Sequence, residues 1–87
     1  MTISKKCWPK YFEKILTGKK RFELRLADFQ VNEGDFLLLR EWDPKTGEYT
    51  GRETEKKVGY VVKTKDCEKF WSKKEIDKYG FQIIQIE

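Results

Sequence analysis

Phe36-Leu37-Leu38-Leu39 is a continuous apolar run in a chain of which 39% of residues are charged. It follows Gly34-Asp35 and leads into Arg40-Glu41-Trp42, the pattern of a strand covered on both sides. A central strand therefore organises whatever core the chain can build. With 87 residues that core is small, since a domain of this size buries only about 60% of the surface its unfolded chain exposes. One domain spanning residues 1–87 is expected, with a shallow cleft in preference to a deep cavity. The aromatic share of 15% is too high for a disordered chain.

The remaining elements follow from periodicity. Thr2 to Cys7 is extended in character, and Trp8-Pro9 disfavours helix at Trp8 while placing proline where a first helical turn tolerates it. From Pro9 to Thr17 the residues Tyr11, Phe12, Ile15 and Leu16 recur at helical spacing, and Gly18 supplies a C-terminal cap. Arg21 to Leu26 alternates strictly, placing Phe22, Leu24 and Leu26 on one face of a strand and Arg21, Glu23 and Arg25 on the other. Asp43-Pro44-Lys45-Thr46-Gly47 reads as a tight turn, and the polar stretch Glu48 to Glu55 leads into Val58, Tyr60 and Val62 at period two, completing a hairpin. Ser72-Lys73-Lys74-Glu75 has capping-box spacing for a short helix ending at Gly80, and Phe81 to Ile86 reads as a closing strand. The economical architecture is α+β: a small mixed β-barrel of five to six strands with an N-terminal helix and a short second helix.

Several chemistries are excluded by composition. Without histidine the chain cannot build the usual serine or cysteine triad or a histidine-based zinc site, and neither common phosphate-cradling glycine motif occurs. No metal or cofactor is implied. No apolar stretch approaches the roughly 20 residues that span a bilayer, and no signal-peptide segment opens the chain, so a cytoplasmic, monomeric protein is expected. Cys7 and Cys67 fit reduced thiols. The net charge of +4 is unevenly spread: residues 1–25 carry eight Lys or Arg against two acids, 26–55 three against eight, and 56–87 eight against five. If the two ends meet, they form a positive face suited to a polyanion.

The segments Pro9-Lys10-Tyr11-Phe12, Ile15 to Lys20, Phe22-Glu23-Leu24-Arg25 and Val31-Asn32-Glu33-Gly34-Asp35, in that order, resemble the ASCH branch of the PUA-like superfamily. Leu39 to Pro44 with Thr46 to Arg52 is similar to a small microbial and phage subfamily of undefined function within it. The resemblance covers nearly the whole chain. It implies a five- or six-stranded pseudobarrel with the N-terminal helix over a cleft, and binding of RNA or a nucleotide-like ligand. It also implies that Gly18, Lys19, Lys20, Arg21, Glu23 and Arg25 line that cleft. Some proteins of this fold are amidohydrolases of acylated cytidine that use a lysine, a threonine and a later glutamate. Lys20 matches the lysine, but Glu23 stands where the threonine is expected. That substitution shifts the expectation from catalysis toward recognition, with Lys20 and Glu23 as the catalytic candidates if hydrolysis persists.

The expected binding set is Lys19, Lys20, Arg21, Glu23, Arg25, Arg40 and Trp42. Arginine side chains about 7 Å apart on one strand face can donate paired hydrogen bonds to phosphate, and a carboxylate can accept from a base amino group such as cytosine N4. Each residue also has a plain structural reading. Glu23 can pair with Arg21 or Arg25 on an exposed face for under about 1 kcal/mol, and Lys19 and Lys20 can complement a helix C-terminus. Trp42 is a candidate stacking platform at a strand end. Trp8 and Phe12 are expected to pack under the helix, and Trp71 to sit in a lid. Arg40 and Glu41 cannot both face the cleft, and Arg40 is the better anion ligand. RNA or a modified nucleotide is the expected partner; a basic protein meeting the acidic middle segment is the other possibility.

Overall fold

The computed structural model describes residues 1–87. Three strands form one open sheet: β1 (Thr2–Cys7), β2 (Phe36–Asp43) and β3 (Glu48–Lys57), in the order β1-β2-β3. β1 pairs with β2 in parallel, with Cys7 opposite Glu41, and β2 pairs with β3 antiparallel. Parallel neighbours need a crossover, which is supplied by α1 (Pro9–Leu16) and the long segment after it. Two further helices, α2 (Thr64–Cys67) and α3 (Lys73–Tyr79), follow the sheet, with a 3₁₀ turn at Glu68–Phe70 between them. No helix is long and apolar enough to cross a membrane.

The apolar run in β2 is the central strand, as its composition requires. α1 begins and ends as its sequence dictates. The Trp8 carbonyl accepts from Phe12 N–H at 2.9 Å, with Pro9 in the first turn. Gly18 adopts φ +79°, and Lys20 N–H closes back onto the Lys14 carbonyl at 3.0 Å. Phe12 and Ile15 are then buried against Cys7 and Leu39, with Leu37 packed alongside. Trp8, in contrast, is exposed and contributes its backbone to the helix start, not its ring to the core.

The expected barrel does not form. Three strands leave the sheet open, and both Arg21–Leu26 and Phe81–Ile86 lie outside it. Alternation alone makes a strand only where a neighbouring backbone is free to pair. Near Arg21–Leu26, side chains take those positions: Arg21 N–H donates to Gln85 Oε1 at 2.6 Å, and the Arg25 guanidinium donates to the Lys6 carbonyl of β1 at 2.6 Å. Leu26 is consequently 80% exposed and Ile86 90% exposed. The hairpin is also displaced from its expected span. Its turn at Asp43–Gly47 is formed, closed by Gly47 N–H on the Asp43 carbonyl at 2.8 Å, but its second strand is the polar stretch Glu48–Lys57, and Val58–Val62 lies beyond it. α3 has the expected capping box between Ser72 and Glu75.

A bulge in β3 fixes the sheet to the helix. Arg40 pairs with Glu53 and Trp42 with Tyr49, so the single residue Glu41 opposes Thr50, Gly51 and Arg52. Gly51, at φ +96°, supplies the backbone conformation this requires. Both Thr50 and Arg52 thereby reach Glu41, which is only 4% exposed. Thr50 Oγ1 donates to it at 2.6 Å, and Arg52 donates through Nε at 3.0 Å and Nη2 at 2.9 Å. The same Nη2 reaches Glu13 of α1 at 3.0 Å.

The Arg52 hydrogen bonds, with that of Thr50, hold the Glu41 carboxyl below the ordinary glutamate range despite the opposing effect of burial. Its contribution to stability is therefore complete above the unfolded-chain value of about 4.3 and is lost as pH falls through the lower folded-state value. Urea midpoints should drop on acidification below about pH 4, and Glu41→Gln should flatten that dependence while lowering the midpoint at pH 7. Asp35 and Glu75, held low by backbone N–H donors of Asn32 and Ser72, leave a residual slope. A variant with the parent's full pH dependence would contradict this account.

Candidate functional site

The unpaired segment after α1 forms one wall of a cleft whose other walls are the 56–64 segment, the C-terminal segment at Phe81 and Ile83, and the sheet at Leu37 and Leu39. Its volume is about 1480 Å³, and most of its walls are apolar. Small-molecule pockets are typically about 300–1,000 Å³, so this is a groove with room for more than one nucleotide-sized group. Lys20, Arg21, Glu23 and Arg25 line it, whereas Lys19, Arg40 and Trp42 do not.

Lys20, Glu23 and Arg25 converge. The Lys20 ammonium donates to Glu23 Oε1 at 2.9 Å, and Arg25 Nε donates to Glu23 Oε2 at 2.8 Å. The two partners sit on different anchors, which makes the arrangement specific. Lys20 is placed by its backbone bond to the last turn of α1, and Arg25 by its bond to the β1 carbonyl of Lys6. Aromatic rings stand beside the ammonium, with the Phe22 centroid at 4.9 Å and that of Tyr11 at 5.7 Å. The trio carries one net positive charge, and Lys20 and Glu23 are half-buried. Arg21 turns away from it, its Nε donating to the Gly18 carbonyl at 3.2 Å. Lys19 is exposed and makes no ion pair.

Arg40 and Trp42 lie on the opposite face of the sheet. Leu39 and Glu41 share a face because strand side chains alternate, and that face carries α1 and the cleft. The expectation that one of Arg40 and Glu41 would point each way is met, but the inward residue is Glu41. Counting by twos from Leu37 and Leu39 finds Glu41; reading the run as buried on both sides hid that parity. Trp71 packs edge-on against Phe70 and Phe81, with centroids 5.8 and 5.9 Å away.

Cys7 is buried opposite Glu41 in the sheet and feels the charges of both ionic groups. Burial pushes its thiol up; Glu23 adds to this, while Arg25 and Lys20 act in the opposite direction. No group of three or more Cys, Asp or Glu side chains is arranged to hold a metal ion.

Residues 4–71 match the family described as Domain of unknown function (DUF3850). The chain belongs to this family. A relative from Escherichia phage P2, described as an uncharacterized 12.9 kDa protein in the GpA 3′ region, is 42% identical over 57 residues, covering 66% of this chain and 50% of the relative. The chain thus spans about half the length of the curated relative it matches. No solved structure matches the chain. Neither description names an activity, so the chemistry of the site rests on its geometry.

A buried thiol with a raised pKa is a poor nucleophile. With an aromatic disulfide reagent at pH 8, half-buried Cys67 should react in a fast phase and Cys7 at least about tenfold more slowly until the chain is unfolded. Two equally fast thiols would show that the packing of Phe12 and Ile15 of α1 does not cover Cys7.

Proposed function

We propose that this protein binds RNA or a modified nucleotide in the cleft beside α1, and that Lys20, Glu23 and Arg25 are its polar contacts. The observation that carries the reading is the charged trio on an apolar-walled groove, with Lys20 and Glu23 half-buried and Arg25 exposed. Partly exposed ion pairs contribute only about 0–1 kcal/mol to a fold, so the placement of the cluster at the cleft supports a ligand-binding role more than a stabilising one. The trio also has unspent capacity. Arg25 Nη1 has no partner in the chain, two Lys20 N–H groups are free, and each Glu23 oxygen keeps one acceptor position. The guanidinium suits phosphate, the carboxylate suits an exocyclic amino group, and Phe22, which lines the cleft, offers a ring face for a base.

The ASCH resemblance, drawn on segments from Pro9 to Asp35 and from Leu39 to Arg52, favours the same ligand class. The amidohydrolase alternative gains no comparable support, because position 23 holds no threonine.

Fluorescence anisotropy with a labelled four-nucleotide single-stranded RNA tests the proposal. Two phosphate contacts predict a log–log salt slope of about −1.4, a roughly sevenfold loss of affinity between 50 and 200 mM salt. Arg25→Ala should remove about half of that slope, and Lys20→Ala should weaken binding as well. Absence of binding at tens of micromolar, or binding indifferent to salt and both substitutions, would refute the reading. Release of acetate from N4-acetylcytidine, abolished by Lys20→Ala, would favour the hydrolase instead.

A further inference from the structure

The sheet face opposite α1 carries a second array of cations and aromatics that the cleft does not use. Lys6 and Arg40 are register partners across β1 and β2, and Trp42 and Tyr49 are partners across β2 and β3. The Lys6 ammonium lies 4.5 Å from the Trp42 centroid and 6.0 Å from that of Tyr49, and the Arg40 guanidinium carbon lies 4.0 Å from the Tyr49 centroid. All four side chains therefore share one face. Tyr49 is 43% exposed. Lys6 is exposed and has no carboxylate partner, and Arg40 has only Glu53, at 3.5 Å, with both side chains partly open to solvent.

We propose that this face is a second binding surface, for single-stranded nucleic acid, with bases stacking on Trp42 and Tyr49 and phosphates meeting Lys6 and Arg40. The inference shares its ligand class with the proposed function and rests on it to that extent, but it uses different residues. Interleaved cations and ring faces suit a flexible polyanion whose bases are free to stack; a duplex keeps its bases inside, and an acidic peptide would leave the rings idle. A base arriving on Trp42 displaces the Lys6 ammonium, which is thereby freed for the adjoining phosphate. Stacking outweighs the exposed cation–π contact it replaces. Continuity with the cleft supports the assignment. Arg25, on the cleft, donates to the Lys6 backbone carbonyl at 2.6 Å, so a single strand passing around the β1 edge meets both surfaces.

Comparing a twelve-nucleotide RNA with the four-nucleotide RNA separates the two sites. The longer strand should bind more tightly, and Tyr49→Ala or Trp42→Leu should reduce its affinity about fivefold or more, while the Arg25-dependent four-nucleotide binding persists in both variants. Lys6→Ala, at an exposed position that does not threaten folding, should lower the twelve-nucleotide salt slope by about 0.7. Equal affinity for both lengths, or twelve-nucleotide binding unaltered by Lys6→Ala and Tyr49→Ala, would overturn the second surface. So would displacement of the RNA by polyglutamate of equal charge, which would assign the face to an acidic protein segment. Loss of the cleft reading looks different: four-nucleotide binding would then be indifferent to Arg25→Ala.

Discussion

The packing of α1 on the inner face of the sheet is the contact on which the other features depend. Phe12 and Ile15 meet Cys7 and Leu39 there, and these four side chains constitute the buried apolar core. Full burial of such side chains contributes roughly 1.5–3 kcal/mol each, so so small a core has little reserve. Arg52 reinforces it from the side, bonding Glu13 of the helix while its guanidinium carbon lies 5.1 Å from the Phe12 ring centroid. With the helix fixed, its C-terminal turn fixes Lys20, and the charged trio follows. The polar site is thus an extension of the core, tied to it by the Lys20 N–H bond to the Lys14 carbonyl and by the Arg25 bond to the Lys6 carbonyl.

Two ionic groups lie near Cys7, and their hydrogen bonding separates their roles. Glu41 is buried and heavily engaged: Arg52 grips both oxygens, Thr50 adds a further donor, and Arg52 Nη2 also reaches Glu13. That network joins β2, β3 and α1 and keeps the Glu41 carboxylate away from solvent. The Lys20–Glu23–Arg25 group lies open to the cleft with donors and acceptors to spare, and its members come from an irregular segment between two anchors. Such segments, set on a rigid scaffold, commonly carry function.

Much of this arrangement was legible in the residues, and the failures share a cause. The β1 segment, the proline start and glycine end of α1, the central strand, the turn at Asp43–Gly47 and the capping box at Ser72 are all set by local chemistry, and each formed where its residues indicated. Arg21–Leu26 and Phe81–Ile86 have strand patterns too, but a strand requires a partner edge. Whether one is free depends on long-range details such as Arg25 occupying the Lys6 carbonyl. Conversely, β3 is a strand although its residues are almost wholly polar, because its partner β2 supplies the pairing and the Glu41 bulge supplies the tie. The site divided for the same reason. Lys20, Glu23 and Arg25 are neighbours in sequence and meet, whereas Arg40 and Trp42 were set on the far face by a parity that only the position of the core defines.

The most direct measurement is an amide chemical-shift titration of the labelled protein with cytidine monophosphate, a ligand too short to span both faces of the sheet. Saturable shifts are predicted at residues 18–26 and at Phe81–Gln85, and these should be lost in Arg25→Ala whatever separate response the Trp42–Tyr49 face gives. Shifts confined to the Trp42–Tyr49 face, or none at millimolar nucleotide, would contradict the assignment of the cleft as the binding site.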